Sequence, residues 1–311
     1  MSRLKCFLVW ACFAVPGFAI SPGNYEKSIV VDGVKREFRL HIPKCFNGED
    51  KLPVVLVFHG LSASAKLIQR LAELDGMADR CGFITVYPNG TGMGLARGFK
   101  AGNSERSEQK KPDDVRFVHC ILNYLERCAC SDCSRVYATG LSNGAMMCYR
   151  LAAEMPHRIA AIAPIGGALG TECRCPSCPI SVMHFHGTCD GVLPFHGPRE
   201  ALLFEQSYYS VPRTIRIFAR AAACEERKQV ESLPDRCKDG TRVCLESYKN
   251  SDTGIEVVLV RIIGGGHQWP QKPVNLRYLG TASMEINANE MMWCFFQKHT
   301  VGCCCPNKEC N

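Results

Sequence analysis

The most restrictive stretch is Arg135-Val-Tyr-Ala-Thr-Gly-Leu-Ser-Asn-Gly144, with Ala-Met-Met following directly. A β-branched and aromatic run enters a Gly-x-Ser-x-Gly pattern, and helical spacing begins at once. No loop fits between strand and helix. Such a junction belongs to a parallel sheet whose helices fold back over it, and it lifts the turn residue, Ser142, above the sheet edge. Ser142 has two readings. Serine is a good helix N-cap, which would make it structural. A capping serine, however, does not need Gly140 and Gly144 beside it. A nucleophile on a sharp turn does, and the helix N-terminus beneath it favours negative charge. Ser142 is therefore the candidate nucleophile.

The rest of the chain supplies the expected sheet. Leu52-Pro-Val-Val-Leu-Val-Phe-His-Gly60 and Gly82-Phe-Ile-Thr-Val-Tyr-Pro88 are continuous apolar runs that read as buried parallel strands. Further strands are expected over 135–140, 159–164, 180–186 and 256–263. Helices are expected over 65–79, from Asp113 or Asp114 to 126, from Ser142 to before Pro156, and over 283–298. The Asp113-Asp114 pair reads as a helix cap and loop anchor. Residues 89–112 form a long Gly-, Ser- and Lys-rich loop, of the kind that is often functional. Residues 224–254, polar and Cys-containing, read as a stapled excursion. This alternation predicts an α/β fold, a mainly parallel sheet with helices on both faces.

With 311 residues the chain can hold one large α/β domain or two small ones, with a sizeable core. The net charge of +7 is dispersed, without a basic run, so nucleic acid is not an expected partner. At the N-terminus, Arg3 and Lys5 precede a mostly apolar run from Cys6 to Phe18, and small residues permit cleavage after Ala19. That is a secretory signal pattern, too short for a spanning helix. The expected organisation is a leader over 1–19, a catalytic domain over 20–302, and a Cys-rich tail over 303–311. The protein is expected to be secreted, extracellular or periplasmic, with no stable membrane span.

A nucleophilic serine needs a base and an orienting acid, and for this turn the acid precedes the base in the chain. Phe185-His-Gly-Thr-Cys-Asp190 ends one strand and Gly264-Gly-Gly-His267 ends a later one. Both lie at the carboxyl edge of the sheet, where open α/β folds place their sites. His267 is the candidate base and Asp190 its orienting acid. His184, His186 and His196 read as packing or rim residues, because none sits on the loop expected for the base. Oxyanion donors are expected from the backbone N–H groups of Asn143 and Leu61. His59, Phe99 and Trp269 are the expected substrate contacts.

Together the motifs VFHG, TVYPNG, PDDVRFV, RVYATGLSNGAMM, AAIAPIGG, HFHGTCDGVLPF and GGGHQWP run in order over residues 35–299. The series resembles the secreted polyhydroxybutyrate depolymerase and feruloyl esterase family of α/β-hydrolases. The resemblance implies a Ser142–Asp190–His267 triad and a serine esterase without cofactor or metal. It implies feruloyl or acetyl esters, or hydroxyalkanoate oligomers, as substrates. One departure is Phe99, in GLARGFKAGN, where such proteins commonly carry tryptophan. No polymer-binding module is visible in the sequence, so soluble esters are expected in preference to crystalline polymer.

The cysteines stand apart. Of 21, two lie in the leader and 19, an odd number, lie outside it. Cys128, Cys130 and Cys133 share their spacing with Cys173, Cys175 and Cys178, and each trio precedes a strand. The trios are expected to neighbour each other at the amino edge of the sheet. Disulfides are favoured in an exported chain, with zinc as the alternative. The tail, with Cys303, Cys304, Cys305 and Cys310, is expected to staple to the body or to cross-link partners. Cys148 reads as a small buried apolar residue. The cysteine excess sustains one rival reading: an envelope or matrix protein with a hydrolase fold and little activity.

Overall fold

In the computed structural model the described residues are 20–102, 113–128, 130–173, 176, 178–198, 207–226 and 228–301. The leader, the C-terminal tail and Cys175 lie outside them. The strands are β1 (Gly23–Val31), β2 (Val34–Ile42), β3 (Leu52–Phe58), β4 (Ile84–Pro88), β5 (Ser131–Leu141), β6 (Ala161–Ile165), β7 (Ser181–Gly187), β8 (Lys228–Ser232), β9 (Arg242–Lys249) and β10 (Glu256–Ile263). The helices are α1 (Ala65–Ala72), α2 (Leu74–Cys81), α3 (Asp114–Arg127), α4 (Asn143–Glu154), α5 (Val211–Ala221) and α6 (Ala288–Phe296).

The strands form one sheet in the order β1-β2-β4-β3-β5-β6-β7-β10-β9-β8. From β4 to β10 every pairing is parallel, and the hairpins β1-β2 and β8-β9 close the two edges antiparallel. Composition follows position. β3, β4 and β6 are buried along almost their whole length, as strands covered on both faces must be. β1 alternates between half-buried and exposed residues, and β8, Lys-Gln-Val-Glu-Ser, is exposed throughout. Charged edge strands of this kind discourage pairing with other chains.

Alternate residues of β3 divide the core. Val54, Leu56 and Phe58 pack with Phe117, Met147 and Phe218 of α3, α4 and α5. Val55 and Val57 pack with Ile68, Met77 and Trp293 of α1, α2 and α6. The helices thus cover both faces, as the alternation of elements predicts.

Three local expectations change. The helix expected over 65–79 is two helices, broken at Glu73 in the left-handed conformation (φ 51°). The change of axis buries Ala65, Ile68 and Ala72 together with Leu74, Met77 and Ala78. The last helix starts at Ala288 rather than 283, because the residues before it bind elsewhere: Ser283 accepts from the Thr241 hydroxyl, Glu285 from the N–H groups of Arg236 and Cys237. The polar 224–254 segment contributes β8 at the sheet edge and β9 beside it, and the exposed edge strand needs few apolar residues. The Asp pair acts as read: Asp113 caps α3 by accepting from Val115 N–H. Buried Asp114 takes Arg36 at 2.5 Å and the N–H of Lys100 at 2.7 Å, anchoring Lys100 of the loop after β4 to α3.

Candidate active site

Ser142 occupies the turn between β5 and α4 with φ 61° and ψ −122°, a strained backbone for a residue with a Cβ. Its side chain makes no capping bond to the helix. The capping explanation of the serine therefore fails on geometry. A Cβ on Gly140 would come within 2.6 Å of Phe58 O, and one on Gly144 within 2.2 Å of it. The flanking glycines are there so that the turn can press against the end of β3. Ser142 N–H donates to Ile165 O at 3.0 Å, tying the turn to β6 as well.

His267 and Asp190 come together from separate loops. His267 follows β10; its N–H donates to Leu279 O at 2.6 Å, and its Nδ1 lies 2.7 Å from Asp190 Oδ2. Because the carboxylate accepts, Nδ1 carries the proton and Nε2 keeps a lone pair. Gly166 (φ 58°) lies between this ring and the turn: a Cβ there would meet His267 Nδ1 at 3.2 Å and the Leu141 side chain at 3.6 Å. Asp190 Oδ1 accepts from the N–H groups of Val192 at 2.8 Å and Leu193 at 2.7 Å. Burial alone would raise the Asp190 carboxyl. The charge and hydrogen bond of His267, the nearby His186 and the Leu193 N–H outweigh it and hold the group below its ordinary range.

The two expected oxyanion donors flank the turn. Asn143 is the first residue of α4, so its N–H has no partner inside the helix. In the loop after β3, Ser62 N–H donates to Arg97 O (2.8 Å) and Ala63 N–H to Gly60 O (3.3 Å); Leu61 N–H takes part in neither bond. Gly60 abuts Ser142: a Cβ on it would lie 3.3 Å from Ser142 Cβ.

The expected substrate contacts need correction. His59 is fully buried. Its Nε2 accepts from Gly90 N–H at 2.9 Å and its Nδ1–H donates to Gly60 O at 2.7 Å. Burial pushes its pKa down to about 4. It is a neutral brace beneath the Leu61 loop, with both ring nitrogens engaged. Phe99 is buried against the rings of Phe58 and His59, at 5.2 and 4.6 Å between centroids. Trp269 is buried too, its indole N–H donating to Asn289 Oδ1 at 2.9 Å. Aromatic residues near catalytic motifs suggested ligand contact; here they fill the core under the loops. Exposed apolar side chains in the loops after β3, β4 and β10 are others: Leu61, Met93, Leu95 and Tyr278. Leu95 O accepts from Ser62 Oγ at 2.8 Å, placing it beside Leu61, and Tyr278 adjoins Leu279, which holds His267. Their exposure is visible only in three dimensions.

Cys130 donates to Leu125 O beneath α3, and Cys173 to Ala101 O in the loop after Phe99. Among the described residues no group of three or more His, Cys, Asp or Glu side chains could hold a metal ion. The zinc alternative on the two trios thus finds no such cluster there, and Cys175 lies outside them. Cys148 is fully buried in α4, and burial drives its thiol pKa well up.

The sequence model of the esterase PHB depolymerase family matches residues 37–215. A putative esterase, NocK, of Nocardia uniformis subsp. tsuyamanensis is 34% identical over 257 residues, 78% of this chain and 73% of that protein. The chain belongs to the PHB depolymerase esterase family. Within that family it is a carboxylic ester hydrolase. Feruloyl esterase B of Piromyces equi is 24% identical over 240 residues, covering 75% of this chain but 42% of the fungal protein. Among solved structures, an acetyl xylan esterase from Aspergillus awamori superposes with TM-score 0.58 at 13% identity, over 89% of this chain and 99% of that one. An S-formylglutathione hydrolase from Agrobacterium tumefaciens superposes with TM-score 0.53 at 14% identity, over 90% and 95%. At these identities the likeness establishes the α/β-hydrolase fold and no more. Among the described residues no helix of this family member is long and apolar enough to cross a membrane.

Proposed function

We propose that this esterase is a secreted serine carboxylesterase working through Ser142, His267 and Asp190. The observation that supports the reading is the Ser142 turn: a strained serine that caps nothing, set against Gly60 and tied to Ile165 O, with the Asp190-bound imidazole packed against the next residue, Gly166. His267 Nε2 takes the Ser142 proton as Oγ attacks the ester carbonyl. The N–H groups of Leu61 and Asn143 receive the oxyanion. Collapse expels the alcohol, protonated by His267, and leaves an acyl-serine. Water, deprotonated by the same imidazole, then releases the acid. Asp190 holds the tautomer and offsets the imidazolium charge. The steps need neither metal nor cofactor.

For substrates we propose soluble feruloyl or acetyl esters, or hydroxyalkanoate oligomers. Relatives named feruloyl esterase and acetylxylan esterase support this class. The exposed Leu61, Leu95, Met93 and Tyr278 offer apolar surface suited to an acyl or aryl group. The basic, apolar leader supports export, and the many cysteines support disulfides in the mature protein. Exposed Cys45, Cys133 and Cys294 keep cross-linking to partners within the proposal.

The test is hydrolysis of p-nitrophenyl acetate, butyrate and octanoate and of methyl ferulate by wild type and Ser142→Ala. Activity on at least one ester, lost in the variant, supports the reading. Two folded and equally inert proteins would overturn it and favour the cysteine-rich matrix protein.

A further inference from the structure

Beside Asp190, approaching the same Oδ2 that His267 binds, ends a chain of buried polar side chains that the esterase steps above do not use. Tyr149 of α4 places its hydroxyl 2.8 Å from His184 Nδ1. His184 Nε2 lies 3.0 Å from His186 Nδ1. His186 Nε2 lies 2.8 Å from Leu193 O and 3.4 Å from Asp190 Oδ2. Both histidines are buried in β7, their rings stacked.

The proton positions follow from the last member. A carbonyl oxygen can only accept, so His186 Nε2 carries hydrogen. In a neutral ring its Nδ1 is then an acceptor, which requires His184 Nε2 to donate. His184 Nδ1 is in turn an acceptor, which requires the Tyr149 O–H to donate. Every member has its partner, and all donors point towards Asp190. The chain stays uncharged. Burial pushes His184 well below the ordinary histidine range, helped by neighbouring His186. Burial lowers His186 too, despite the Asp190 carboxylate beside it. Burial also pushes the Tyr149 phenol up, so it keeps its proton.

The placement of the ends gives the chain its meaning. Tyr149 sits on the helix that begins right after Ser142. His186 meets both Asp190 and Leu193, whose N–H also holds Asp190 Oδ1. We infer that His186 is a positioning residue for Asp190, kept in its donating tautomer by His184 and Tyr149, so that one hydrogen-bonded chain joins the nucleophile's helix to the acid's loop. This rests on the Ser142–His267–Asp190 reading.

The test compares His186→Leu, His186→Gln and Tyr149→Phe on the preferred ester, with rates normalised to active sites titrated by an acylation burst. Leucine removes the N–H at similar bulk; the glutamine amide can replace it; Tyr149→Phe deletes the far donor alone. His186→Leu is expected to lower kcat about 10- to 100-fold, the scale of a displaced catalytic group, with KM nearly unchanged. His186→Gln is expected to recover most of that loss. Tyr149→Phe is expected to lower kcat about five-fold, one hydrogen bond's worth. Wild-type kcat per titrated site in both His186→Leu and Tyr149→Phe would overturn the inference. So would equal losses in the leucine and glutamine variants. If His186→Leu does not fold, Tyr149→Phe decides, wild-type kcat again overturning it. Failure of the triad reading is distinct, since it appears as a folded but inert wild type or as activity surviving Ser142→Ala.

Discussion

Asn143 grips the peptide of Phe99 from both sides: its Oδ1 accepts from Phe99 N–H at 2.7 Å and its Nδ2 donates to Phe99 O at 3.1 Å. The residue after Ser142 therefore fastens the segment around Phe99, in the loop after β4, to the start of α4. Gly98 makes the close approach feasible, since a Cβ there would lie 2.8 Å from Leu61 Cδ1 and 3.1 Å from Asn143 Oδ1. Asn143→Ala keeps its backbone N–H for the oxyanion but leaves two buried peptide groups of Phe99 without partners. Expected is a stability loss of about 2 kcal/mol and a fall in kcat of about ten-fold. Chemical denaturation and steady-state kinetics on one ester check both.

The strain at Ser142 predicts opposite effects on activity and stability. Glycine tolerates φ 61°, ψ −122° where serine does not. Ser142→Gly is expected to be inactive yet more stable than wild type by about 1 kcal/mol, raising Tm by about 2 °C. Calorimetry beside an esterase assay measures this, and an unchanged or lower Tm would contradict the strain argument.

Gly144→Ala should be severe, although alanine favours helices. Its Cβ would meet Phe58 O at 2.2 Å, Phe58 C at 2.6 Å and His59 O at 2.8 Å, all backbone. Nothing there is a flexible side chain that can move aside. A loss of about 3 kcal/mol is expected, with little soluble protein. A well-folded, active Gly144→Ala would show that the end of β3 yields.

Asp190→Asn tests orientation apart from packing. An amide presenting its NH2 to His267 Nδ1 forces the other tautomer and removes the lone pair from Nε2. On the triad reading kcat should fall about 10⁴-fold, with the fold preserved. Active-site titration and circular dichroism separate the two.

Acid should weaken the fold before Asp190 is protonated. Burial depresses His59 and His299 to about 4, and it depresses His184 and His186 as well. Their folded values lie below the unfolded value of about 6.5. Between these values the unfolded chain binds more protons, so stability falls as pH drops from about 6.5 towards 4. Asp190, depressed below the ordinary carboxylate range, adds a further loss at still lower pH. Urea midpoints from pH 7.5 to 4.5 are expected to fall monotonically; a flat profile would contradict the neutral state of these imidazoles.

Local pattern was enough for much of this protein. The apolar run of β3 dictates a strand covered on both sides, and strand-Gly-x-Ser-x-Gly-helix dictates a sharp turn, because both are matters of neighbouring residues and their backbone preferences. The chain order of the loops after two strands likewise marked Asp190 and His267 as candidates, and the structure brings the two within 2.7 Å. What the sequence could not supply was contact between distant residues. His59, Phe99 and Trp269 stand beside catalytic motifs in the chain, yet packing turns all three into the core. Leu95 and Tyr278 carry no motif, yet their turns are tied to Ser62 and His267. The edge strand β8 is polar because it is exposed throughout, and β9 beside it is only partly buried, which makes both look like loops. His184 and His186 read as packing, since the Tyr149 hydroxyl 35 residues away joins them only after α4 lies across the sheet. Hydrogen-bond chains and exposure depend on three-dimensional neighbours, and only the tertiary structure decides those.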